Sequence, residues 1–425
     1  MADATTTTAS SWLKEIYTPV RVREVMYTRN PLLALIPKDE TFEGIDVKQP
    51  IITANPAGRS AAFSVAQAAA QPSNASAFTL TRVKDYAVAT IQRDLLKASK
   101  SDKGAFLRAT QPEIQGALNN IRRSTAVKLY RSGTGSVAQG DGSTSIAANP
   151  MVFTLKNPRD IKFIENGMSL AFSSGDGTGT LRTPTSAASI VAAVDRQAGT
   201  FTMSSGVTAS GSYSTTVLNT DYVLMSSGDF AASLSGLNAW LVPYTSAGGS
   251  RGSLTASFFG VTRTLDTIRL AGVARDDSQV SIEEGILNLA NDIIDLGDGD
   301  PDHFFLTPTA YTNLVKELGS KVRYGEAAIE EADVRFGFKG VVVESPNGGE
   351  ILCVPDYNCP AGIGYMLTLD TWKLRSLGGV PEQVDEDGVM ILRGATSDNF
   401  EVRFAEYLQL GCEAPGYNGT TLLNA

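Results

Sequence analysis

The segment Gly248-Gly-Ser250-Arg-Gly252 has the Gly-x-Ser-x-Gly spacing of a nucleophile elbow, in which a serine hydroxyl attacks a carbonyl carbon. That motif requires a strand before the serine and a helix directly after it. An apolar run at 239–242 precedes the motif, but Ser253-Leu-Thr-Ala-Ser257 lacks the signals of a helix start. We therefore interpret the segment as a flexible linker, and a serine hydrolase that uses Ser250 stays an alternative.

The sequence contains a single histidine, His303. A metal site or an acid–base pair built from several histidines is therefore excluded, and any catalytic triad would depend on this one ring. His303 directly precedes Phe304 and Phe305 at the start of a predicted strand, which favours a structural role over a catalytic one.

Two further segments resemble binding motifs only in part. An acidic run lacks the D-x-D-x-D-G order and the closing glutamate of a calcium loop, so we favour a solvated acidic turn over a bound cation. The aspartates of this run are Asp295, Asp298, Asp300 and Asp302. The segment Gly133-Thr-Gly135-Ser-Val-Ala138 follows a predicted helix, so it does not match the strand-first fingerprint of a dinucleotide site. We predict no catalytic, cofactor-binding or metal-ligating residue, and no cofactor.

Cys353, Cys359 and Cys412 are odd in number and lack the spacing of a disulfide framework, which favours a reducing compartment and buried free thiols. The N-terminal residues lack a basic region followed by an apolar one, so no secretory signal is predicted. No apolar run approaches the roughly 20 residues that span a bilayer. We expect a soluble protein made in a cytoplasm.

The chain of 425 residues is long enough to bury a core without disulfides or metals. Its formal net charge of −9 argues against a protein that reads DNA, because such proteins are usually basic. A protein that encloses DNA need not be basic, since tight adhesion would hinder packing and release. The charge therefore excludes one class of DNA partner and leaves the other open.

The first part of the chain predicts an arm followed by a long hairpin. Residues 1 to about 40 carry too few apolar residues to fold alone. Strand-like segments at 45–52 and 78–91 flank a stretch rich in small residues, so we predict a protruding hairpin with a flexible tip. In the second segment Phe78, Leu80, Tyr86 and Val88 share one parity, which is typical of a half-exposed strand.

A long helix is predicted at 111–131. Thr110-Gln-Pro-Glu113 matches a capping box with proline in the first turn, and Gly133 supplies the stop. Basic residues cluster on its later half, and we interpret them as a solvated face with a favourable helix-dipole placement, with a direct DNA contact as the minor alternative. These residues are Arg122, Arg123, Lys128 and Arg131.

The remaining chain divides into a β-rich stretch and a mixed one. Short alternating runs separated by turn residues predict a small all-β module at 136–235. Ser281-Ile-Glu-Glu284 is a capping box before a helix, and His303-Phe-Phe-Leu306 predicts a strand that Thr307-Pro308 ends by starting a second helix. Further strands are predicted at 340–344, 351–354, 363–369 and 400–404.

This order of parts resembles the major capsid proteins of tailed bacteriophages, which have the Hong Kong 97-type α+β fold. The most specific local similarity lies in Leu234-Ser-Gly-Leu237, in Ser281 to Asp295, and in Asp302 to Leu314, with Val322-Arg-Tyr324 and Gly340-Val-Val-Val343 continuing it. The resemblance implies an N-terminal arm at 1–44, an extended-loop hairpin at 45–91, a peripheral domain at 92–135 and 376–425 with a spine helix at 111–131, an inserted β-rich domain at 136–235 and an axial domain at 236–375.

The resemblance implies a structural subunit, not an enzyme. It would self-assemble as hexamers and pentamers into an icosahedral or prolate capsid that encloses double-stranded DNA. The expected partners are further copies of the chain, a separate scaffolding protein, a portal protein, a decoration or cement protein, and packaged DNA through weak non-specific contact, with no membrane. The expected location is the virion, after assembly in the cytoplasm of a bacterial host.

Three alternatives stay open beside this interpretation. The first is an encapsulin-like compartment shell, which shares the fold, and the second is the serine hydrolase with Ser250 and His303. The third is a β-rich adhesin built around residues 150–230, against which the missing secretion signal counts. Lys48 and Lys84 flank the hairpin, but nothing in their context marks a lysine that crosslinks subunits, so no covalent shell is predicted.

Overall fold

The computed structural model describes residues 30–92, 103–142, 151–185, 189–204, 213–215, 217–254, 257–318, 341–384, 392–393 and 398–424. Residues 1–29 of the expected arm and the predicted segment Val322-Arg-Tyr324 lie outside these ranges. Within the described residues, none of the helices combines the length and apolar character that crossing a membrane requires.

The long helix Lys103–Lys128 begins earlier than the sequence predicts. The predicted start at the capping box Thr110 to Glu113 is wrong, since these residues lie inside the helix. Pro112 has no N–H, so a helix that continues through it loses one backbone hydrogen bond. The other α-helices of the described ranges are Pro31–Leu35, Phe63–Ala68, Leu237–Leu241, Ile282–Asp292 and Pro308–Leu318.

Sheet I has six strands around the long strand Asn399–Cys412. One edge of this strand pairs antiparallel with Val83–Gln92 over ten residues, and the other edge pairs with three shorter strands. The long helix lies on one face of the sheet, where Ile121 packs against Ala87 and Phe404. The remaining strands of sheet I are Lys38–Asp39, Trp372–Ser376, Glu382–Gln383 and Leu392–Arg393.

Sheet II is a second six-stranded sheet with helices Ile282–Asp292 and Pro308–Leu318 packed against it. Ser281 caps the first helix, as predicted, because its hydroxyl accepts a hydrogen bond from the Glu284 N–H at 3.3 Å. In order across the sheet the strands are Val273–Asp277, Gly419–Leu423, Ile363–Leu367, His303–Leu306, Glu350–Pro355 and Val341–Glu344.

The strands of sheets I and II come from parts of the chain that do not follow the expected domain boundaries. The expected peripheral segment 376–425 includes Gly419–Leu423, yet this strand lies between Val273–Asp277 and Ile363–Leu367 in sheet II. Conversely, Trp372–Ser376 falls almost wholly in the expected axial segment 236–375 but pairs with Asn399–Cys412 in sheet I. Strand pairing between residues far apart in the chain leaves no local signal, so the sequence did not reveal these crossings.

Residues 136–224 contain two small antiparallel sheets with their own apolar core. Phe153, Phe172 and Phe201 meet in this core with ring centroids 5.3–6.5 Å apart. The three-stranded sheet contains Val152–Thr154, Val191–Asp195 and Thr200–Met203. The four-stranded sheet contains Ser136–Gln139, Ala171–Ser173, Leu181–Arg182 and Tyr222–Leu224. In this region the predicted β-rich character agrees with the observed strands.

The predicted hairpin is formed by Asp46–Ala54 and Asn74–Thr81, with the short helix Phe63–Ala68 at its tip. The single strand predicted at 78–91 is wrong, because the chain leaves the hairpin at Arg82 and continues as Val83–Gln92 in sheet I. The break also reverses the parity of the buried side chains. Phe78 is buried before it, whereas Tyr86 is 56% exposed after it.

The largest core joins the base of the hairpin to the helix Leu237–Leu241 and to sheet I. Trp240 lies at its centre, edge-on to Phe78 at 5.0 Å and to Trp372 at 6.2 Å between ring centroids. Its indole N–H donates to the Leu410 carbonyl oxygen at 3.2 Å. One fully buried side chain therefore fixes the hairpin base against the main body.

Candidate interaction surface

The structure does not form a nucleophile elbow around Ser250. The preceding apolar run ends the short helix Leu237–Leu241 rather than forming a strand, and no helix follows the serine within described residues 242–254. Ser250 is exposed, and its carbonyl oxygen accepts a hydrogen bond from the Thr245 hydroxyl at 3.3 Å. Among the described residues Ser250 and His303 share no hydrogen bond, so the structure does not bring together the pair that a hydrolase would need.

Arg251 gives the glycine-rich segment a structural role. Its guanidinium donates to the carbonyl oxygens of Leu241 and Val242, both at 2.9 Å, which lie at the end of the helix Leu237–Leu241. It also donates to Thr267, Ala271 and Gly272. Burial lowers the pKa of Arg251 to about 10. The segment predicted as a flexible linker is therefore tied to the body through this one side chain.

His303 has the structural position that its sequence context predicts. Its ring is nearly parallel to that of Phe305, with centroids 6.1 Å apart, and its Nδ1 lies 2.9 Å from Asp302 Oδ1. The same Asp302 oxygen accepts a hydrogen bond from the Leu369 N–H at 3.2 Å. In the part of the chain that the structure describes, no group of three or more His, Cys, Asp or Glu residues is placed to hold a metal ion.

The three cysteines are buried and free, as predicted. Burial raises the pKa of the Cys353 thiol to about 12, and it also raises the pKa of Cys359 and of Cys412. Thiols held in the protonated form are poor nucleophiles, so their position favours a packing role.

The predicted solvated basic face is wrong for Arg123 and Lys128, which are buried, whereas Arg122 is exposed as predicted. Lys128 is buried, with its Nζ 2.5 Å from Asp85 Oδ2 and 2.9 Å from Asp229 Oδ1. Arg123 is also buried and pairs with Glu165. These cations pair with Asp85 on the strand Val83–Gln92 and with Glu165 and Asp229, which are distant in the chain and which the helix sequence alone cannot reveal. Because Arg123 and Lys128 are neutralised inside the fold, they are not placed for a direct DNA contact.

Several of the large exposed apolar side chains lie on the hairpin. We call Ile52, Phe63 and Val65 the hairpin tip cluster; Phe63 is 82% exposed. Ile45, at the opposite end of the strand Asp46–Ala54, is 86% exposed. Exposed apolar residues that gather on one projection mark a surface for contact with another molecule.

A second candidate surface runs along the hairpin-root strand Val83–Gln92. One edge of this strand pairs with Asn399–Leu408, whereas its other edge has no strand partner among the described residues. A groove of about 910 Å³ lies beside its first half, between the strand, the long helix and residues 225–235. Tyr86 and Val88 are exposed on this strand. An uncovered strand edge offers backbone groups to another chain.

Neither a protein-family model nor a curated protein matches the sequence. Among solved structures, a chain of the cyanophage A-1(L) capsid asymmetric unit is 11% identical, with 96% of each chain covered and a TM-score of 0.53. A chain of the native GTA particle capsid is 10% identical, with 96% of this chain and 93% of that chain covered and a TM-score of 0.44. The SrpI encapsulin of Synechococcus elongatus PCC 7942 is 8% identical, with 97% and 94% covered and a TM-score of 0.43. The mixed helix-and-sheet fold of this chain is that of the cyanophage capsid chain, which confirms the expected resemblance at the level of fold.

Proposed function

We propose that this chain, which has the fold of a phage capsid chain, is the major capsid protein of a tailed phage and builds a shell around double-stranded DNA. The observation that carries the proposal is the agreement of fold over 96% of both chains, since the likeness extends over nearly the whole chain and is not limited to one part of it. The fold alone does not decide function, so the proposal also depends on the surfaces described above.

The parts of a Hong Kong 97-type subunit are assigned as follows in this proposal. The hairpin Asp46–Ala54 and Asn74–Thr81 is the extended loop, and Lys103–Lys128 is the spine helix. Sheet I with the spine helix is the peripheral domain, and sheet II with its two helices is the axial domain. The two small sheets within 136–224 are the inserted module.

In this assignment the hairpin lies over a neighbouring copy and the axial domains meet around the axis of each hexamer and pentamer. The hairpin tip cluster supports this role, because its apolar side chains are exposed in the single chain. Permanent contacts of this kind bury on the order of 2,000 Å² or more, so shell stability depends on total area rather than on one residue.

The expected further partners are a separate scaffolding protein, a portal protein and a decoration or cement protein. Packaged DNA would touch the inner surface weakly, which is consistent with a net charge of −9 and with the internal pairing of Lys128 and Arg123. In this proposal the protein assembles in the cytoplasm of a bacterial host and remains in the virion.

The direct test is to express the full chain with its genomic neighbours and to image the purified product by electron microscopy. Closed shells of hexamers and pentamers, together with a portal and DNA-packaging genes nearby, are the expected result. Only monomers or small oligomers, even with a scaffold candidate present, would contradict the proposal. Closed shells that enclose a cargo enzyme would instead identify an encapsulin-like compartment.

A further inference from the structure

Glu406 is a carboxyl group enclosed between sheet I and the long helix. It lies on the strand Asn399–Cys412, and only 2% of its surface is exposed. Its Oε1 contacts the hydroxyl of Thr125 on the helix. Its Oε2 is buried and has no hydrogen-bond partner among the described residues. A charged carboxylate would be costly in such a place.

The hydrogen atoms around Thr125 favour a protonated Glu406. The Thr125 hydroxyl oxygen lies 3.0 Å from the Ile121 carbonyl oxygen and also contacts Glu406 Oε1. A hydroxyl has one proton, so it can donate to only one of these two acceptors. When the Thr125 hydroxyl donates to the Ile121 carbonyl oxygen, Thr125 and Glu406 can form a hydrogen bond only if the carboxyl group of Glu406 carries a proton and donates it to the Thr125 oxygen.

The charges that face Glu406 favour the same form. Asp85 stands directly opposite Glu406 in the strand register, and directly opposed like charges destabilise a sheet. Lys128 on the helix already binds two carboxylates, Asp85 and Asp229. Ionised Glu406 would therefore be the third carboxylate around one ammonium group.

The pKa directions agree with this geometry. Burial raises the pKa of Glu406 to about 7 and outweighs the contact with Thr125, which lowers it. The charge of Asp85 also raises this pKa, whereas the charge of Lys128 lowers it. Burial would lower the pKa of Lys128, but the charges of Asp229 and Asp85 hold it above its usual value. The cluster therefore keeps its cation over a pH range in which Glu406 changes charge.

We propose that Glu406 is a proton-dependent clamp, which holds the long helix against sheet I while it is uncharged and weakens that contact when it ionises. Four segments meet at the clamp, namely the hairpin-root strand, the long helix, the strand Asn399–Cys412 and the loop that carries Asp229. The inference concerns the single chain and does not depend on the proposed function in a shell.

The pH window follows from the two states of the glutamate. In the opened contact Glu406 has an ordinary glutamate pKa near 4.5, whereas in the closed contact it retains its proton up to about pH 7. The opened state therefore binds fewer protons between these values, so the stabilisation is complete below about pH 4.5 and is lost as the pH rises to about 7. The equilibrium constant for opening rises up to about tenfold for each pH unit inside the window.

The test is hydrogen–deuterium exchange on the full chain, corrected for intrinsic exchange, between pH 5 and pH 9. The expected result is a fall in protection of residues 83–92 and 121–128 by about two orders of magnitude up to pH 7, and little further change above it. Glu406→Gln should remove this dependence. Glu401→Gln is the matched control, because Glu401 lies on the same strand but pairs with Arg403.

A second measurement covers the case in which Glu406→Gln does not fold. Infrared difference spectra of the folded wild-type chain should show a protonated carboxyl group at pH 6 that loses its proton around pH 7. Asp85→Asn should move this transition to lower pH, because the charge of Asp85 raises the pKa of Glu406. A flat pH profile in the wild type, or the same profile in Glu406→Gln, would overturn the proposal.

Discussion

The Tyr130 hydroxyl donates a buried hydrogen bond to Asp356 Oδ2 at 2.9 Å, which joins the end of the long helix to the loop after the strand Glu350–Pro355. The same carboxyl oxygen accepts from the Leu32 N–H at 3.3 Å, and Oδ1 accepts from the Asn358 N–H at 2.8 Å. Burial raises the pKa of Asp356, and these donors act in the opposite direction. One carboxyl group thus connects the segment at 31–35, the long helix and sheet II.

Replacing Asp356 should show how much this connection contributes to stability. Asp356→Ala leaves three buried donors without their acceptor, so we expect a loss of about 3 kcal/mol in the free energy of unfolding. Tyr130→Phe removes one of the bonds and should cost about 1 kcal/mol. Chemical denaturation followed by circular dichroism measures both. Tyr86→Phe is the matched control, because its hydroxyl is exposed and makes only a long contact of 3.5 Å with the hydroxyl of Tyr407. A similar loss of unfolding free energy in Tyr86→Phe would contradict the assignment.

Lys128→Met should destabilise the chain strongly, by about 3–5 kcal/mol, because it leaves Asp85 and Asp229 as unpaired, partly buried charges. The triple variant with Asp85→Asn and Asp229→Asn should regain part of this loss. Lys373→Met is the control, since Lys373 pairs with Glu413 at an exposed site where ion pairs contribute less than about 1 kcal/mol. Both variants are measured by thermal unfolding. Equal losses of stability in the two lysine variants would show that the buried ion pairs stabilise the chain no more than the exposed one.

The neighbours Ser250 and Arg251 should respond to substitution in opposite ways. Ser250→Ala should change the free energy of unfolding by less than about 0.5 kcal/mol and leave assembly intact, because the side chain is exposed. Arg251→Lys should cost about 2–4 kcal/mol, since a lysine cannot reach the five carbonyl oxygens that Arg251 binds. Ester hydrolysis by the purified wild type that disappears in Ser250→Ala would revive the hydrolase alternative.

Phe63→Ser at the hairpin tip should leave the single chain as stable as the wild type, because the ring is 82% exposed. In the proposed shell the same change should reduce the yield of closed particles severalfold, since it removes an apolar contact between copies. Sedimentation of co-expressed particles measures the yield, and the melting temperature of the soluble chain checks its stability. Leu218→Ser is the control, as Leu218 is also exposed but lies within 136–224. An unchanged particle yield for Phe63→Ser would show that Phe63 at the hairpin tip does not contribute to the interface between copies.

Elements with strong local signals were predicted well from the sequence. Ser281 caps its helix, His303–Leu306 is a strand, and the second helix starts at Pro308. The capping-box match at Thr110 failed because the pattern also fits the inside of a longer helix. The break at Arg82 was missed because two consecutive strands with opposite buried faces resemble one long strand when only alternation is considered.

The charged clusters could not be predicted, for a different reason. The partners of Lys128 lie 43 and 101 residues away in the chain, so the helix sequence shows a cation but not what it faces. Glu406 shares the parity of Phe404 and Leu408 on its strand, so alternation indicates that it lies on the apolar face, but the sequence does not show that it meets Asp85 and Lys128 there. The composition alone limits the possible catalytic sites, because a single histidine excludes any site that needs several.

The pairing of Val83–Gln92 with Asn399–Leu408 also has a mechanical consequence. The hairpin joins the body through this strand, and ten residue pairs connect the strand to its neighbour. A pull on the hairpin along the strand direction therefore loads these backbone hydrogen bonds together, in shear, whereas a pull across the sheet would open them one after another. The hairpin root should resist tension along its length and yield most easily to a sideways force.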